Sequence, residues 1–167
     1  MRPTERALVA ELGAELFASY GDYREAIHAW LRQPRLSCQV LREPGGPLQA
    51  FCLIGLLPVP HGRILGYVYG VGVWAKFRRS GLGSKVLEAS LSEVRARAGR
   101  WGISEVVLEV AEHNQAARRL FRAAGFSEDS STPVPGERRY PSGARSVTMS
   151  LALKHPDTYP AERERAS

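Results

Sequence analysis

Between residues 64 and 98 the hydrophobic period of the chain changes, and the place where it changes limits the folds available. Ile64 to Trp74 is an apolar, strand-like run. From Leu82 to Ala98 the apolar residues Leu82, Val86, Leu87, Leu91, Val94 and Ala98 recur at helical spacing. The two are joined by Arg78-Arg79-Ser80-Gly81-Leu82-Gly83-Ser84. A strand that enters a long amphipathic helix through so short a loop points to helices layered on a sheet. The junction also has a chemistry. Glycines let the backbone approach a ligand, because no Cβ stands in the way. The first turn of a helix presents N–H groups without intrahelical partners, and its dipole favours negative charge. Arginine adds fork-like donors that match phosphate geometry. The segment therefore points to a phosphorylated small molecule or cofactor.

The rest of the chain supplies the other layers. Glu5 to Phe17 reads as a helix with Leu8, Leu12, Leu16 and Phe17 on one side, broken by Tyr20-Gly21-Asp22. Asp22 is placed to cap a second helix, Tyr23 to Arg32, that turns Ile27, Trp30 and Leu31 toward the core. Strands are expected over Leu36 to Arg42, Leu48 to Leu57 and Arg63 to Trp74, the last bent at Gly66, Gly70 and Gly72. Gly99 to Gly102 ends the long helix, and Ile103 to Ala111 is the next strand. Asn114 opens a short helix through Ala124, and Gly125 terminates it. Phe126 starts a further extended segment, Thr132 to Gly136 is a loop, and Ala144 to Leu153 is a final strand. The order is two helices, then β-β-β-α-β-α-β-β. It predicts one α/β (α+β) domain over residues 1–154, with a central mixed sheet flanked by helices. Residues 155–167 are polar and read as a loose tail.

The 167 residues suffice for one domain with a real core. No apolar run of about 18 residues predicts a membrane span, and Met1 to Arg6 leads into no signal-peptide core. Cys38 and Cys52 are too few for a disulfide framework; buried free thiols and a cytoplasmic location follow. The net charge of +6 is mostly arginine and favours anionic ligands. It lacks the basic-aromatic stripe or zinc-finger spacing of a nucleic-acid binder. Gly70-Val-Gly72-Val-Trp-Ala75 matches a dinucleotide fingerprint, but no helix begins inside it.

Residues Val73 to Phe126 resemble the GNAT family of N-acetyltransferases. The family's Arg/Gln-x-x-Gly-x-Gly/Ala loop is Arg78-Arg-Ser-Gly81-Leu-Gly83, although Ala75 stands where proline is common. Its Asn-x-x-Ala-x-x-Leu-Tyr-x-x-x-Gly-Phe signature resembles Asn114-Gln-Ala-Ala-Arg-Arg-Leu-Phe121-Arg-Ala-Ala-Gly125-Phe126, with Phe121 in the tyrosine's place. The ribosomal-protein N-terminal acetyltransferase branch looks closest. Glu109 lies five residues before Asn114, and Arg138-Arg-Tyr-Pro-Ser-Gly143 is similar to its Tyr-Pro turn.

The resemblance implies a mostly antiparallel sheet, splayed at a cofactor cleft, and acetyl-CoA as donor with no metal. It implies that the backbone of Val71, Val73 and Trp74 pairs with the pantetheine arm. The N–H groups of Arg79, Ser80, Gly81, Leu82, Gly83 and Ser84, with Arg78, cradle the pyrophosphate, while Asn114 and Phe121 flank the pantetheine. The acceptor is an amine on a peptide or small molecule, and the chain acts as a monomer or homodimer without nucleic acid or membrane. The chain departs from the family at its start, where the usual first strand is nearly absent before the helix at Glu5, so that the sheet edge is either shorter or supplied by a partner.

Acetyl transfer needs a neutral amine, yet an α-amine titrates near ~8 and a lysine near ~10.4. A carboxylate that accepts the proton therefore helps at neutral pH. Glu109 is the candidate, because the two-residue period sets it with Glu105 and Val107 opposite Val106, Leu108 and Val110. Glu105 and Glu112 are weaker ones. Phe121 cannot protonate the leaving thiolate; with a thiol pKa of about 8.5 the thiolate leaves without a side-chain acid, Tyr140 or a water substitutes, or the chain is a non-catalytic acyl-CoA-binding module. Arg118, Arg119 and Arg122 form either a contact for the 3′-phosphate of coenzyme A or a solvated helix face. His113 is a proton relay or a structural loop residue, and His28 a surface one. Tyr67 and Tyr69 share a face that lines an acceptor cleft or packs in the core. The acceptor itself has no decisive motif.

Overall fold

The computed structural model of the chain describes residues 3–128 and 140–153. Within them, five strands form one sheet in chain order: β1 (Ser37–Arg42), β2 (Leu48–Pro58), β3 (Ile64–Val73), β4 (Glu105–Ala111) and β5 (Ser146–Ala152). Every pairing is antiparallel except β3 with β4. The expected mixed, mostly antiparallel sheet is therefore present. Helices α1 (Pro3–Phe17) and α2 (Arg24–Leu31) precede it, α3 (Leu82–Trp101) links β3 to β4, and α4 (Gln115–Ala123) follows β4.

The two-residue period of β2 builds two cores. Ala50, Cys52 and Ile54 point to one side, where α3 lays down Val86, Leu87, Leu91 and Val94. Phe51 and Leu53 point to the other, against Val9 and Leu12 of α1 and Ile27 and Leu31 of α2. Cys38 packs on the second side and Cys52 on the first, so both thiols stay free. Edge strand β1 is tied to α3 by one carboxylate: Ser37 Oγ and Gln39 Nε2 donate to Glu93 Oε2 at 2.5 and 2.7 Å. Arg97 pairs with the same side chain.

Four details depart from the sequence reading. Helix α3 runs through Gly99 and stops at Gly102, whose φ of 64° suits a left-handed cap. Asp22 does not cap α2; Tyr23 occupies the cap position, and Asp22 instead accepts the Arg24 N–H at 3.1 Å. The segment after Phe126 contributes one bridge, Ser127 to Ser150, rather than a described strand. Its continuation, the loop at 132–136, Arg138-Arg139 and the tail lie outside the described residues.

The fourth concerns the bend in β3. Leu53 pairs with Gly70 and Ile54 with Val68, so Tyr69 is an extra residue in a β-bulge. Gly70 and Gly72 have a separate reason. A Cβ on Gly70 would lie 2.8 Å from Phe17 Cζ, and one on Gly72 2.7 Å from Leu16 Cδ1. These glycines let the end of α1 sit directly on the strand, which also explains the misleading dinucleotide-like spacing.

Candidate active site

The sheet opens just past its parallel pair. β3 and β4 are paired only over Gly66–Val68 and Val106–Leu108. Beyond Val68 the strands diverge around the bulge, and a cleft opens between Tyr69–Val73 and Glu109–Ala111. Among the described residues, the edge of β3 turned away from β2 has no strand beside it there, which leaves backbone groups for an extended ligand.

On one side of the opening lies a cavity of about 800 Å³, floored by Val71, Gly72 and Val73. Arg78, Arg79, Gly81, Leu82, Gly83 and Ser84 form its far end. Helix α3 starts there on Gly81, with no side-chain cap and no acidic residue in its first turn. Its first N–H groups therefore face the cavity at the positive end of the dipole. Arg79 and Gly81 have φ of 63° and 79°, so the loop turns twice through the left-handed region to aim them. Arg78 Nε donates to the Val73 carbonyl at 3.3 Å, which fixes loop to strand.

Two expected contributors are placed elsewhere. Trp74 packs toward α1 and α2 and donates its N–H to Gln49 O at 3.0 Å. Ser80 Oγ donates to Phe77 O at 2.5 Å and does not line the cavity. The arginine cluster divides. Arg118 and Arg122 both pair with Glu128, at 2.9 and 2.5 Å, and Arg118 also donates to Glu112 O. Arg119 alone of the three faces the cavity.

Asn114 stands where the two sides of the cleft meet. Its Oδ1 accepts the Ala117 N–H at 3.1 Å and caps α4. That leaves Nδ2 as the donor, and it gives one proton to the Tyr20 hydroxyl at 3.0 Å. Sequence reasoning treated Tyr20 only as a helix breaker. Its ring stacks 5.0 Å from Tyr140 and 5.8 Å from His113, and it lines both cavities. Its position is set by the turn opposite, where Ser142 N–H donates to Tyr20 O at 3.1 Å. Gly21 has φ of 142° and lies so close to Pro141 that a Cβ would come within 2.8 Å.

The other side of the opening is narrower, about 110 Å³, with Phe121, Glu109, Tyr20, Tyr23 and Tyr140 around it. Phe121 is packed on Phe126 and presents only carbon. Glu109 is half-buried, and Ser146 Oγ donates to its Oε1 at 3.1 Å. Tyr140 donates its hydroxyl to the Glu109 carbonyl at 3.2 Å. Burial raises the Tyr140 and Tyr67 phenols far above their usual value, with the fields of Glu109 and neighbouring tyrosines adding to it. Both stay protonated at any ordinary pH. His113 stacks on Tyr20, whereas Glu105 sits at the far end of β4, near Arg63. Glu112 enters these contacts through its backbone.

The sheet is thus open between β3 and β4, with the uncapped N-terminus of α3 on one side of the split and the Glu109 carboxylate on the other. The sequence model of the acetyltransferase (GNAT) family matches residues 6–126, and the chain belongs to that family. Solved structures share the fold. The ribosomal-protein-S18-alanine N-acetyltransferase from Escherichia coli superposes with a TM-score of 0.67 at 21% identity, over 95% of this chain and 96% of that one. Arabidopsis thaliana NAA60 with a bisubstrate analogue gives 0.69 at 14% identity, over 92% and 96%. By sequence, the chain is 30% identical over 87 residues to GCN5-related N-acetyltransferase 7, chloroplastic, from Arabidopsis thaliana. It is 41% identical over 63 residues to mycothiol acetyltransferase from Thermobispora bispora. These matches cover 52% and 38% of this chain and only 30% and 20% of the two relatives.

Proposed function

We propose that the protein transfers an acetyl group from acetyl-CoA to a primary amine by direct attack within a ternary complex. The observation that carries this reading is the split between β3 and β4, which sets the α3 terminus and Glu109 at opposite ends of one continuous cleft. The 800 Å³ side suits coenzyme A chemically: helix N–H groups and Arg79 for the pyrophosphate, the free β3 edge at Val71 and Val73 for the amide-bearing arm. In this reading Arg119, rather than the whole arginine cluster, serves the remaining phosphate.

Glu109 takes one proton from the incoming ammonium, directly or through water. The amine nitrogen then bonds to the acetyl carbon as the carbon–sulfur bond breaks. Tyr20 gives its hydroxyl proton to the departing sulfur and is reprotonated from the nitrogen, so thiol and amide leave neutral. Tyr140 stacks on Tyr20 and holds the Glu109 backbone, and its own proton is engaged there. We assign it a positioning role beside Glu109. The free thiols and the absence, among the described residues, of a helix long and apolar enough to cross a membrane support a cytoplasmic setting.

The test is thiol release from acetyl-CoA over a panel of primary amines and peptides. A Glu109→Gln variant is expected to lose roughly 100-fold in rate at neutral pH and to recover as pH rises toward the pKa of the amine. A pH profile parallel to that of the parent would remove Glu109 from proton transfer. Bound coenzyme A with no turnover for any amine would leave only the acyl-CoA-binding module.

A further inference from the structure

One amide in the cleft makes two bonds that depend on a single orientation. Asn114 follows the turn that leaves β4, and that turn is held from several directions. The Asn114 N–H donates to Ala111 O at 2.8 Å, the Glu112 N–H to Arg145 O at 2.9 Å, and Arg118 Nη1 to Glu112 O at 2.9 Å. From this fixed base Asn114 Oδ1 accepts the Ala117 N–H at 3.1 Å. A backbone N–H can only donate, so the amide cannot be turned over without setting donor against donor. Nδ2 is thereby committed to the Tyr20 hydroxyl oxygen, 3.0 Å away and 94 positions earlier in the chain.

The Tyr20 oxygen is consequently an acceptor on its Asn114 side. A phenol keeps its proton in the plane of the ring, on one side of the oxygen or the other, because the oxygen conjugates with the ring. With one side taken by a donor, the proton points to the other. Tyr20 lines both the donor and the acceptor side of the cleft, where Asn114 also stands. Its ring has little freedom to turn. Tyr140 and His113 lie against it at 5.0 and 5.8 Å, and its own carbonyl accepts the Ser142 N–H at 3.1 Å. An isolated phenol samples both directions; one opposite a fixed donor does not.

We propose that Asn114 is the positioning residue for the acid: the orientation that caps α4 also turns the Tyr20 proton into the cleft, toward the departing sulfur. The inference rests on the acetyl-transfer reading for where that proton goes, although not for the link itself. It gives Asn114 a role apart from the cofactor-flanking one that the resemblance implies, because the amide acts here on the protein's own hydroxyl. It also ties the acid to α4, whose residues Ala117, Arg119 and Leu120 wall the donor side.

The experiment uses Asn114→Ser, since serine caps a helix about as well as asparagine but is too short to reach Tyr20 as well. Its melting temperature should match that of the parent. With a primary amine that the parent acetylates, kcat is expected to fall about tenfold while the KM for acetyl-CoA stays within about twofold. Asn114→Asp keeps the shape and the cap but sets an acceptor where the donor was, which draws the hydroxyl proton away from the cleft. Its kcat should fall at least as far. In a Tyr20→Phe background, Asn114→Ser should cost nothing further. A raised KM with unchanged kcat, or losses that multiply in the double variant, overturns the assignment. Side-chain amide NMR reads the link without turnover: one Asn114 Nδ2 proton should lose its protection from solvent exchange in Tyr20→Phe. An Asn114 signal indifferent to that substitution overturns the link. A signal that responds, in a parent that releases no thiol with any amine, would overturn the acetyl-transfer reading and leave the link standing.

Discussion

Tyr20 and Phe121 face the same cleft with opposite chemistry, a hydroxyl supported by Asn114 and a bare ring. General acid catalysis contributes roughly 100-fold or more when a proton is well placed. Tyr20→Phe should therefore lower kcat at least tenfold while leaving the KM for acetyl-CoA nearly unchanged. Adding Phe121→Tyr to that variant should restore part of the loss. An undiminished kcat in Tyr20→Phe would show that sulfur leaves without this proton. Asn114 was legible in the sequence because a cap is a local matter, fixed by the residues just after it. Tyr20 was not, since its partner is 94 positions away and only the fold brings them together. Trp30 was read as core for a similar reason: helical spacing shows which side of α2 it occupies, not that the neighbouring sheet is open there.

At the level of elements, α1 reaches the sheet only because two glycines let it. A methyl on Gly72 would come within 2.7 Å of Leu16 and closer still to the Phe51 ring. Gly72→Ala should thus destabilise the fold by about 1–3 kcal/mol, as overpacking does, and shift α1 away from β3. Thermal unfolding checks this; an unchanged midpoint would mean that Leu16 and Phe51 re-pack without strain. Strand and helix identities could be read from hydrophobic period, and the loop between β3 and α3 from its glycines. The end of α3 could be read to the segment Gly99 to Gly102 but not to its residue, because Gly99 is merely tolerated inside the helix while Gly102 carries the positive φ that stops it. The split of the sheet also escaped local reading, since it depends on how far two distant strands pair.

For the whole molecule, burial couples stability to alkaline pH. The Cys52 thiol is pushed from 9.0 up to about 12 by burial, and the Tyr67 and Tyr140 phenols rise from 10.0. In each case the folded state holds its proton where the unfolded chain releases it. Stability is therefore complete below pH ~9 and falls as pH climbs through the window above it. Melting temperatures measured from pH 8 upward should decline from about pH 9, and Cys52→Ser should flatten the first part of the decline. A constant melting temperature to pH 11 would contradict the buried, neutral state of these groups. The bulge at Tyr69 has a consequence of the same global kind. It inverts the parity of β3: odd residues Tyr67 and Tyr69 look toward α2, but Val71 and Val73, also odd, pack on the α3 side. Deleting one residue there would not simply shorten a strand. It would take out the one unpaired residue, leave Gly70 to Val73 with their β2 partners and their present facing, and remove the local twist that the extra residue gives β3 where it parts from β4.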